Sequence, residues 1–562
     1  VTVYWLVWDA AAHWIVERLT AQGALPHTAR LRAAGISAAA RPPAPNCQTP
    51  PSLATLFTGT WPERHGVTGF RIPGTGGTVE ESSDAFAPGR CTAPTVWRTA
   101  AEAGLRTAAV HVPWTIGADG QAEPGVDVAV EAYSDRIDRQ AALPLTGGHQ
   151  HFAVGPHPLD VAPEGDRIRV GCEDRSVTLG ERDTQWRPLR LGTDSGVWLR
   201  MVATGGQRVL LRTGAWRPRV VGQDRTLTEA LTGGEGLPVF AGEGIGPTYR
   251  AGLLGPRLVD GGDGSAEDLF LSSVACVHRS FEAPARTVLA RHTAALVVIY
   301  LPTTDDLGHE LIGWCDPKSA AHRPDAAEQI WRRVRTCYGW ADRLLGEVLD
   351  RAGEQDTVLL GADHGIAGTA WTVHPNEALI AAGLAARTPD GALDPRRSSV
   401  LYHPAGNGSL WVNHQDLPGG LVPRSAARAL LDRAESVLRA VTEPGGGRPA
   451  TAGFAPSPGG DPAVVRHVLF DPDFLPTAAL RPDRAPVVPS HKPGAHITNN
   501  GDPRLHAVFA ARGPGLSPGV DLGTVDNTVP AQVALRQLGL SPDDRSRQSL
   551  SDPTARRVCT AT

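Results

Sequence analysis

Three stretches of this chain share one pattern. VYWLVWD runs to Asp9, LVVIYLPTTDDLGH to His309, and TVLLGADH to His364. Each is an apolar run of strand length that stops at carboxylates and imidazoles. A strand that is apolar on both sides must be covered on both faces, as the strands of a parallel sheet are. Helical patterns lie between them, from about Ala12 to Thr20, over 95–103, and from Asp325 to Ala352, which contains IWRRVRTCYGWADRLLGEVLDRA. Further strands are expected at Arg106 to Val112 and at His506 to Ala511, the latter closed by Arg512-Gly513-Pro514-Gly515. Strands alternating with helices predict an α/β fold: a doubly wound, mostly parallel central sheet flanked by helices.

Between about 150 and 260 the pattern changes to period two, in DRIRVGCEDRSVTLG and GVWLRMVATGGQRVLLRTGAWRPRVV. That alternation predicts antiparallel strands. We expect an inserted β-rich cap over 119–289, interrupting a discontinuous core of 1–118 and 290–545. A second, smaller excursion over 385–490 contains TEPGGGRPATAGFAPSPGGDP and is expected to be loop-rich. At 562 residues the chain is long enough for this division.

Composition removes several function classes. A net charge of −5 offers no basic footprint, so no nucleic acid duplex is expected as a partner. The 7 cysteines stand singly, which argues against a disulfide scaffold and a thiolate zinc site. No run of about 18 apolar residues occurs, so no membrane span is expected. VTVYWLVWDA lacks a basic leader and a cleavage site. The cytoplasm is the expected location, with a processed secreted form as the alternative. Lysine occurs only at Lys318 and Lys492, a codon signature of a GC-rich genome of the actinobacterial kind.

Open parallel sheets gather ligands beyond the carboxyl ends of their strands. If the three runs are neighbours, Asp9, Asp305, His309, Asp363 and His364 converge on one edge. Carboxylates and imidazoles without thiolates suit zinc, manganese or magnesium. SHKPGAHITNNGDPRLHAVFAARGPG offers a further ligand from His491, His496 or His506. Each piece has a structural alternative. Asp9 is placed to cap a helix, Asp305 and His309 to form a surface pair, and His496 to sit in a solvated loop. Their recurrence in order, each against a predicted strand, favours a shared site. NCQTPPSLATLFTG poses the same choice for Thr49. It is either an N-cap preceding Pro50, or a hydroxyl at the positive end of a helix that serves as a nucleophile. Arg208, Arg212, Arg217 and Arg219 near Trp216 are expected on the solvent face of a sheet, with a phosphate-binding surface as the alternative. Trp331 and Trp340 are expected to pack in the core.

Taken together these elements resemble the alkaline phosphatase superfamily, and most of all its type I phosphodiesterase/nucleotide pyrophosphatase branch. The segment TPPSLATLFTGTWPERHGVTGF, residues 49–70, is similar to that family's T-x-P-x-x-x-x-L-x-T-G-x-x-P-x-x-H-G element. The likeness extends in scattered blocks over 1–115 and 290–540. It implies two divalent ions, zinc first, with manganese or magnesium as alternatives. Asp9, Asp363 and His364 would hold one ion and Asp305, His309 and His496 the other. Thr49 would be both nucleophile and ligand, and His491 is the rival of His496. The resemblance implies cleavage of a phosphodiester or pyrophosphate bond in a small, nucleotide-like organophosphate through a phosphothreonine. A phosphomonoesterase, phosphonate hydrolase or phosphomutase on the same site is the alternative, and a metal-binding protein without turnover a more distant one. Relatives place an asparagine after the H-G element, whereas this chain has Val67-Thr68-Gly69-Phe70-Arg71. Arg71 is the candidate for a phosphate contact in its place, with a surface loop residue as the alternative. The register Thr49-Pro50-Pro51-Ser52-Leu53 lacks both the nucleophile and the arginine of sulfatases. Cys47 is expected to serve packing.

Overall fold

The computed structural model describes residues 1–74, 78, 81–131, 135–232, 239–405, 407–497 and 499–541. Positions 542–545 of the expected core lie outside the described residues. The centre is a nine-stranded sheet. Its strands in chain order are β1 (Val3–Trp8), β2 (Ile36–Arg41), β3 (Thr107–Val110), β4 (Val126–Glu131), β5 (Arg219–Gly222), β6 (Leu296–Leu301), β7 (Thr357–Gly361), β8 (Ala507–Arg512) and β9 (Val520–Asp526). Across the sheet they lie in the order β5-β4-β3-β6-β1-β7-β8-β2-β9.

The three apolar runs are neighbours. β1 lies between β6 and β7 and is parallel to both, with Val7 opposite Tyr300 on one side and Gly361 on the other. Every residue of these three strands is buried, which explains why their sequences lack alternation. β3 and β4 continue the parallel arrangement beyond β6. The edge strand β5 and the internal strand β8 run antiparallel to their neighbours. The reversal of β8 matters for the site. It makes the residues that precede Ala507 emerge where the parallel strands end.

Five helices position the functional residues: α1 (His13–Ala21), α2 (Thr49–Thr58), α3 (Ser265–Arg291), α4 (Thr303–Cys315) and α5 (Pro324–Arg351). All residues of α2 are buried, its hydroxyl residues Thr49, Ser52, Thr55 and Thr58 among them, and none of its side chains is charged. It ends at Gly59, whose φ of 64° lies in the left-handed region that favours glycine. α5 is amphipathic and buries Ile330, Trp331, Val334, Tyr338, Ala341 and Leu345 on one face. Trp331 packs edge-on against Trp14 with centroids 5.7 Å apart, and Trp340 packs against His278. Both tryptophans serve packing.

The span 119–289 is more mixed than its alternation suggests. Gln150–Val154, His157–Glu164, Arg167–Cys172 and Arg175–Gly180 form one antiparallel sheet. Ala141–Pro144, Arg187–Leu191, Ser195–Thr204 and Gln207–Arg212 form another, and the two share an apolar core. However, β4 and β5 belong to the central sheet, and the span ends in the 27-residue helix α3. Arg208 and Arg219 are exposed and Arg217 half-buried, with Arg208 facing Glu181 and Arg217 facing Asp135. Arg212 departs from the expected solvent face: it is buried and paired with Asp138. The segment 385–490 is also more than loops. Val400–Tyr402, Ser409–Val412, Thr451–Ala455 and Val465–Phe470 form a sheet covered by the helix Arg424–Arg439, with its own apolar core. The Gly/Pro content hid the strand Thr451–Ala455, since such residues mark turns in the sequence whatever lies between them.

Candidate metal centre and active site

Asp9 follows β1 directly, and its N–H donates to Leu301 O at 2.9 Å. The cap residue of α1 is Ala12, with no side-chain cap bond, so Asp9 does not cap that helix. Its Oδ2 accepts from the Tyr300 hydroxyl, and its carbonyl accepts from Thr304 Oγ1. Oδ1 has no hydrogen-bond partner. Asp363 follows β7. Its Oδ1 accepts from the N–H groups of Ala10 (3.1 Å) and His364 (3.0 Å), and Oδ2 is left without a partner. His364 Nδ1 donates to Gly365 O at 3.0 Å. That bond turns Nε2 toward Asp363 Oδ2 at 3.1 Å and Asp9 Oδ1 at 3.5 Å. The two bare oxygens and this ring nitrogen thus face one another, all buried.

The second group is built on α4 and the segment before β8. His309 Nδ1 donates to Gly494 O at 2.7 Å, which aims Nε2 at Asp305 Oδ1, 3.4 Å away. His496 Nε2 approaches the same oxygen at 3.1 Å. The stack of the His364 and His496 rings, with centroids 3.7 Å apart, joins the two groups. A Cβ on Gly494 would lie 2.2 Å from Gly308 O, so only glycine lets this segment approach α4 closely enough. That contact is the physical content of the G-x-H signal.

Thr49 stands over the first group. It is the first residue of α2, and the cap position is Gln48, with no side-chain cap bond. Thr49 is therefore not the N-cap. Its Oγ1 lies 3.3 Å from His364 Nε2. Pro50 and Pro51 follow within the first turn and fix the backbone there. A cavity of about 620 Å³ opens beside Thr49, reaching Asp305, His309 and His496.

The electrostatics of the site are dominated by three carboxylates and three imidazoles held close together. Burial, and then the charges of Asp363 and Asp305, push the Asp9 carboxyl well above its ordinary range. Burial alone would lower His364, but Asp363 outweighs it and raises the imidazole. Burial would raise Asp305, yet His309 and His496 hold it below the carboxylate range. His309 is pushed down to about 3 by burial, against the pull of Asp305. The buried Asp9 and Asp363 and the half-buried Asp305 each carry an oxygen without a hydrogen-bond partner, a costly arrangement that cations would relieve. Asp9, Asp363 and His364 can hold one metal ion, and Asp305, His309 and His496 another, because the donor atoms of each group lie within 4.8 Å of one another.

Two expected residues fall elsewhere. Arg71 is exposed and directs its guanidinium to Ser82, with Nη2 2.8 Å from the carbonyl and Nε 3.2 Å from the hydroxyl. It does not line the cavity, because the hairpin of Arg71–Pro73 with Ser82–Asp84 carries it aside. His506 accepts no role in either group and lies 3.2 Å from Asn500 O. His491 lines the cavity without joining a ligand group. Cys47 is buried with Ala367 and Leu505, and burial pushes its thiol up to about 12. His65 of the H-G element is structural. Its Nε2 pairs with Thr55 Oγ1 at 3.0 Å and its Nδ1 accepts from Val67 N–H at 3.1 Å, tying the loop to α2.

Sequence reasoning missed Tyr300, Gln48 and Asn46. Tyr300 carries a hydroxyl in an otherwise apolar strand, and a buried tyrosine hydroxyl needs a partner. That was its available signal. Asn46 donates to Thr68 O at 2.8 Å and Gln48 Oε1 at 3.1 Å, bracing the turn that leads into Thr49.

Carboxylates and imidazoles gathered where neighbouring parallel strands end give this chain a site suited to metal-assisted chemistry. The family model for type I phosphodiesterase/nucleotide pyrophosphatase matches residues 6–437. The chain belongs to that family and is a hydrolase acting on phosphoric ester bonds. Among solved structures it is similar to murine ectonucleotide pyrophosphatase/phosphodiesterase 5, at 10% identity and TM-score 0.48 with 96% of each chain covered. The human protein of that name gives 11% identity and TM-score 0.47, again over 96% of each chain. An inactive variant of the murine protein in complex with AMP gives 12% identity and TM-score 0.47, with 96% of each chain covered. A comparison with curated proteins finds no match. Among the described residues, no helix is long and apolar enough to cross a membrane.

Proposed function

We propose that this chain cleaves a phosphodiester or pyrophosphate bond in a small, nucleotide-like organophosphate, with Thr49 as the nucleophile. Asp9, Asp363 and His364 would hold one divalent ion, and Asp305, His309 and His496 the other, with Thr49 facing the first. The observation that carries the reading is the position of Thr49 Oγ1, 3.3 Å from His364 Nε2, beside a cavity that reaches the second group. Carboxylate and imidazole donors favour zinc, with manganese or magnesium as alternatives. When bound, the ions supply positive charge that lowers the pKa of the threonine hydroxyl and offsets charge on the phosphoryl oxygens.

Thr49 loses its hydroxyl proton to solvent and attacks phosphorus in line with the departing ester oxygen. The P–O bond to the leaving group breaks as the bond to Thr49 forms, leaving a phosphothreonine. Water then attacks phosphorus from the vacated side and returns free Thr49 and a phosphomonoester. The roles of the remaining residues are positional. Tyr300 and the two backbone donors fix one oxygen of Asp9 and of Asp363, so that the other points inward. Gly365 and Gly494 carbonyls fix the ring orientations of His364 and His309. Phosphoryl transfer needs mainly such positioning and charge.

The test pairs metal analysis with turnover of 4-nitrophenyl phosphate, a 4-nitrophenyl diester and the phenylphosphonate. The expected result is two ions per chain and fastest cleavage of the diester. Faster cleavage of the monoester would overturn the diester assignment.

A further inference from the structure

The wall of the cavity opposite α2 is not part of the central sheet. Trp371–Val373 pairs with Phe474–Pro476 on one side and Val487–Pro489 on the other. His374 follows the first of these strands, and His491 and Lys492 follow the last. All three line the cavity. Among the described residues Asp305 is the one carboxylate that lines it, and Asp305 belongs to the second candidate group.

These groups bring one ammonium and two protonatable imidazoles to the same wall. Lys492, one of two lysines in the chain, is half-buried, and no ion pair to its ammonium group occurs among the described residues. The carboxyl group of Glu310 lies in its field but is paired with Arg250, and Asp306 lies in its field without pairing with it. Arg481 also lines the cavity, but both arms of its guanidinium are taken by Asp483, at 2.7 Å each. His374 is 6% exposed, its Nδ1 is fixed by Ala479 O at 2.8 Å, and its Nε2 has no partner. Beyond burial, His491 is destabilised as a cation by Arg250, Lys492 and His374 together. One ammonium and two protonatable imidazoles therefore share one rim, and among the described residues none of the three is ion-paired to a carboxylate. Such a cluster costs free energy in the empty protein, and a bound anion relieves that cost.

Building on the phosphodiesterase reading above, we propose that Lys492, His491 and His374 bind a second anionic group of the substrate, so that the enzyme selects phosphodiesters whose ester arm ends in a carboxylate or phosphate. The scissile phosphorus would sit at Thr49 and the distal anion against the wall. Lys492 offers a point charge, and the two imidazoles, when protonated, offer directed N–H donors.

The test uses three 4-nitrophenyl alkyl phosphodiesters of equal chain length, whose far ends carry a carboxylate, a phosphate or a methyl ester. A charge-assisted hydrogen bond contributes about 1.5–3 kcal/mol, so kcat/KM for the preferred anionic arm should exceed that for the neutral arm about tenfold or more. The two anionic arms distinguish carboxylate from phosphate. In Lys492→Met this ratio should fall toward one, and Lys492→Arg should restore part of it. Calorimetric titration of the Thr49→Ala protein with the same esters reads binding without turnover and should show the same gap. Equal affinity for charged and neutral arms, or an unchanged ratio in Lys492→Met, overturns the proposal. A binding gap with no turnover of any ester by the unmodified protein overturns the hydrolytic assignment of these esters and leaves the anion site standing.

Discussion

Tyr300→Phe isolates the contribution of one hydroxyl to ion binding. The Tyr300 hydroxyl donates to Asp9 Oδ2 from the end of β6, while Asp9 Oδ1 faces His364 at 3.5 Å. Removing the hydroxyl deletes no ligand and leaves the ring in the core. It leaves a fully buried carboxylate oxygen without its donor, beside two other carboxylates that already push the Asp9 proton on. Loss of a hydrogen bond to a charged group costs about 1.5–3 kcal/mol, and loss of an orienting partner weakens metal binding about 10–100-fold. The two figures agree, since a hundredfold change is about 2.7 kcal/mol. Zinc titration against a chromophoric chelator should show one ion bound with unchanged affinity and the other weakened by that factor. Thermal unfolding of the metal-free protein reports the fold separately. Two ions bound with undiminished affinity in Tyr300→Phe would show that Asp9 is not a ligand held in place by this bond.

Thr49→Ala should abolish turnover and the acid-stable phosphoenzyme detected by intact-mass measurement, with thermal stability retained. His309→Ala should weaken the second ion alone, leaving about one equivalent bound after gel filtration. Gly494→Ala forces a Cβ to within 2.2 Å of Gly308 O, so it should cost a few kcal/mol in urea unfolding and lower occupancy of the same ion. His65 is buried, which pushes its imidazole down to about 3 from the ordinary 6.5. The unfolded chain therefore binds the extra proton first as pH falls. The stability due to neutral His65 is complete above pH 6.5 and is lost progressively toward pH 3, by up to about 4 kcal/mol. In metal-free protein, His65→Gln should flatten the fall in unfolding free energy between pH 7 and pH 4, and an unchanged slope would contradict that assignment.

What could be recognised from the sequence was whatever one local pattern encodes. The strands β1, β6 and β7 announce themselves because each is buried on both faces, and Asp9, Asp305 and Asp363 follow from where those runs stop. The choice of His496 over His491 rested on Gly494, and the backbone contact between Gly494 and Gly308 supplies the reason. Arg71 misled because its charge suggested a phosphate contact, whereas its neighbour in space, Ser82, is set by a hairpin pairing that no periodicity shows. β4 and β5 were hidden for a related reason. Short strands in a β-rich span look alike whether they pair with one another or with a distant sheet. The cavity wall was least accessible, since it combines residues near 372, 475 and 488 whose only link is three-dimensional.

That wall has a consequence for how such a protein changes over time. Asp9 and Asp363 directly follow fully buried strands, so exchanging them would disturb the core beside them as well as the site. The small sheet opposite them bears none of the six residues proposed as ligands, so its cavity-facing side chains can change without touching that set. A lineage built on this plan can thus acquire new clientele by editing a few codons around 374 and 491–492, with its bond-breaking apparatus inherited intact.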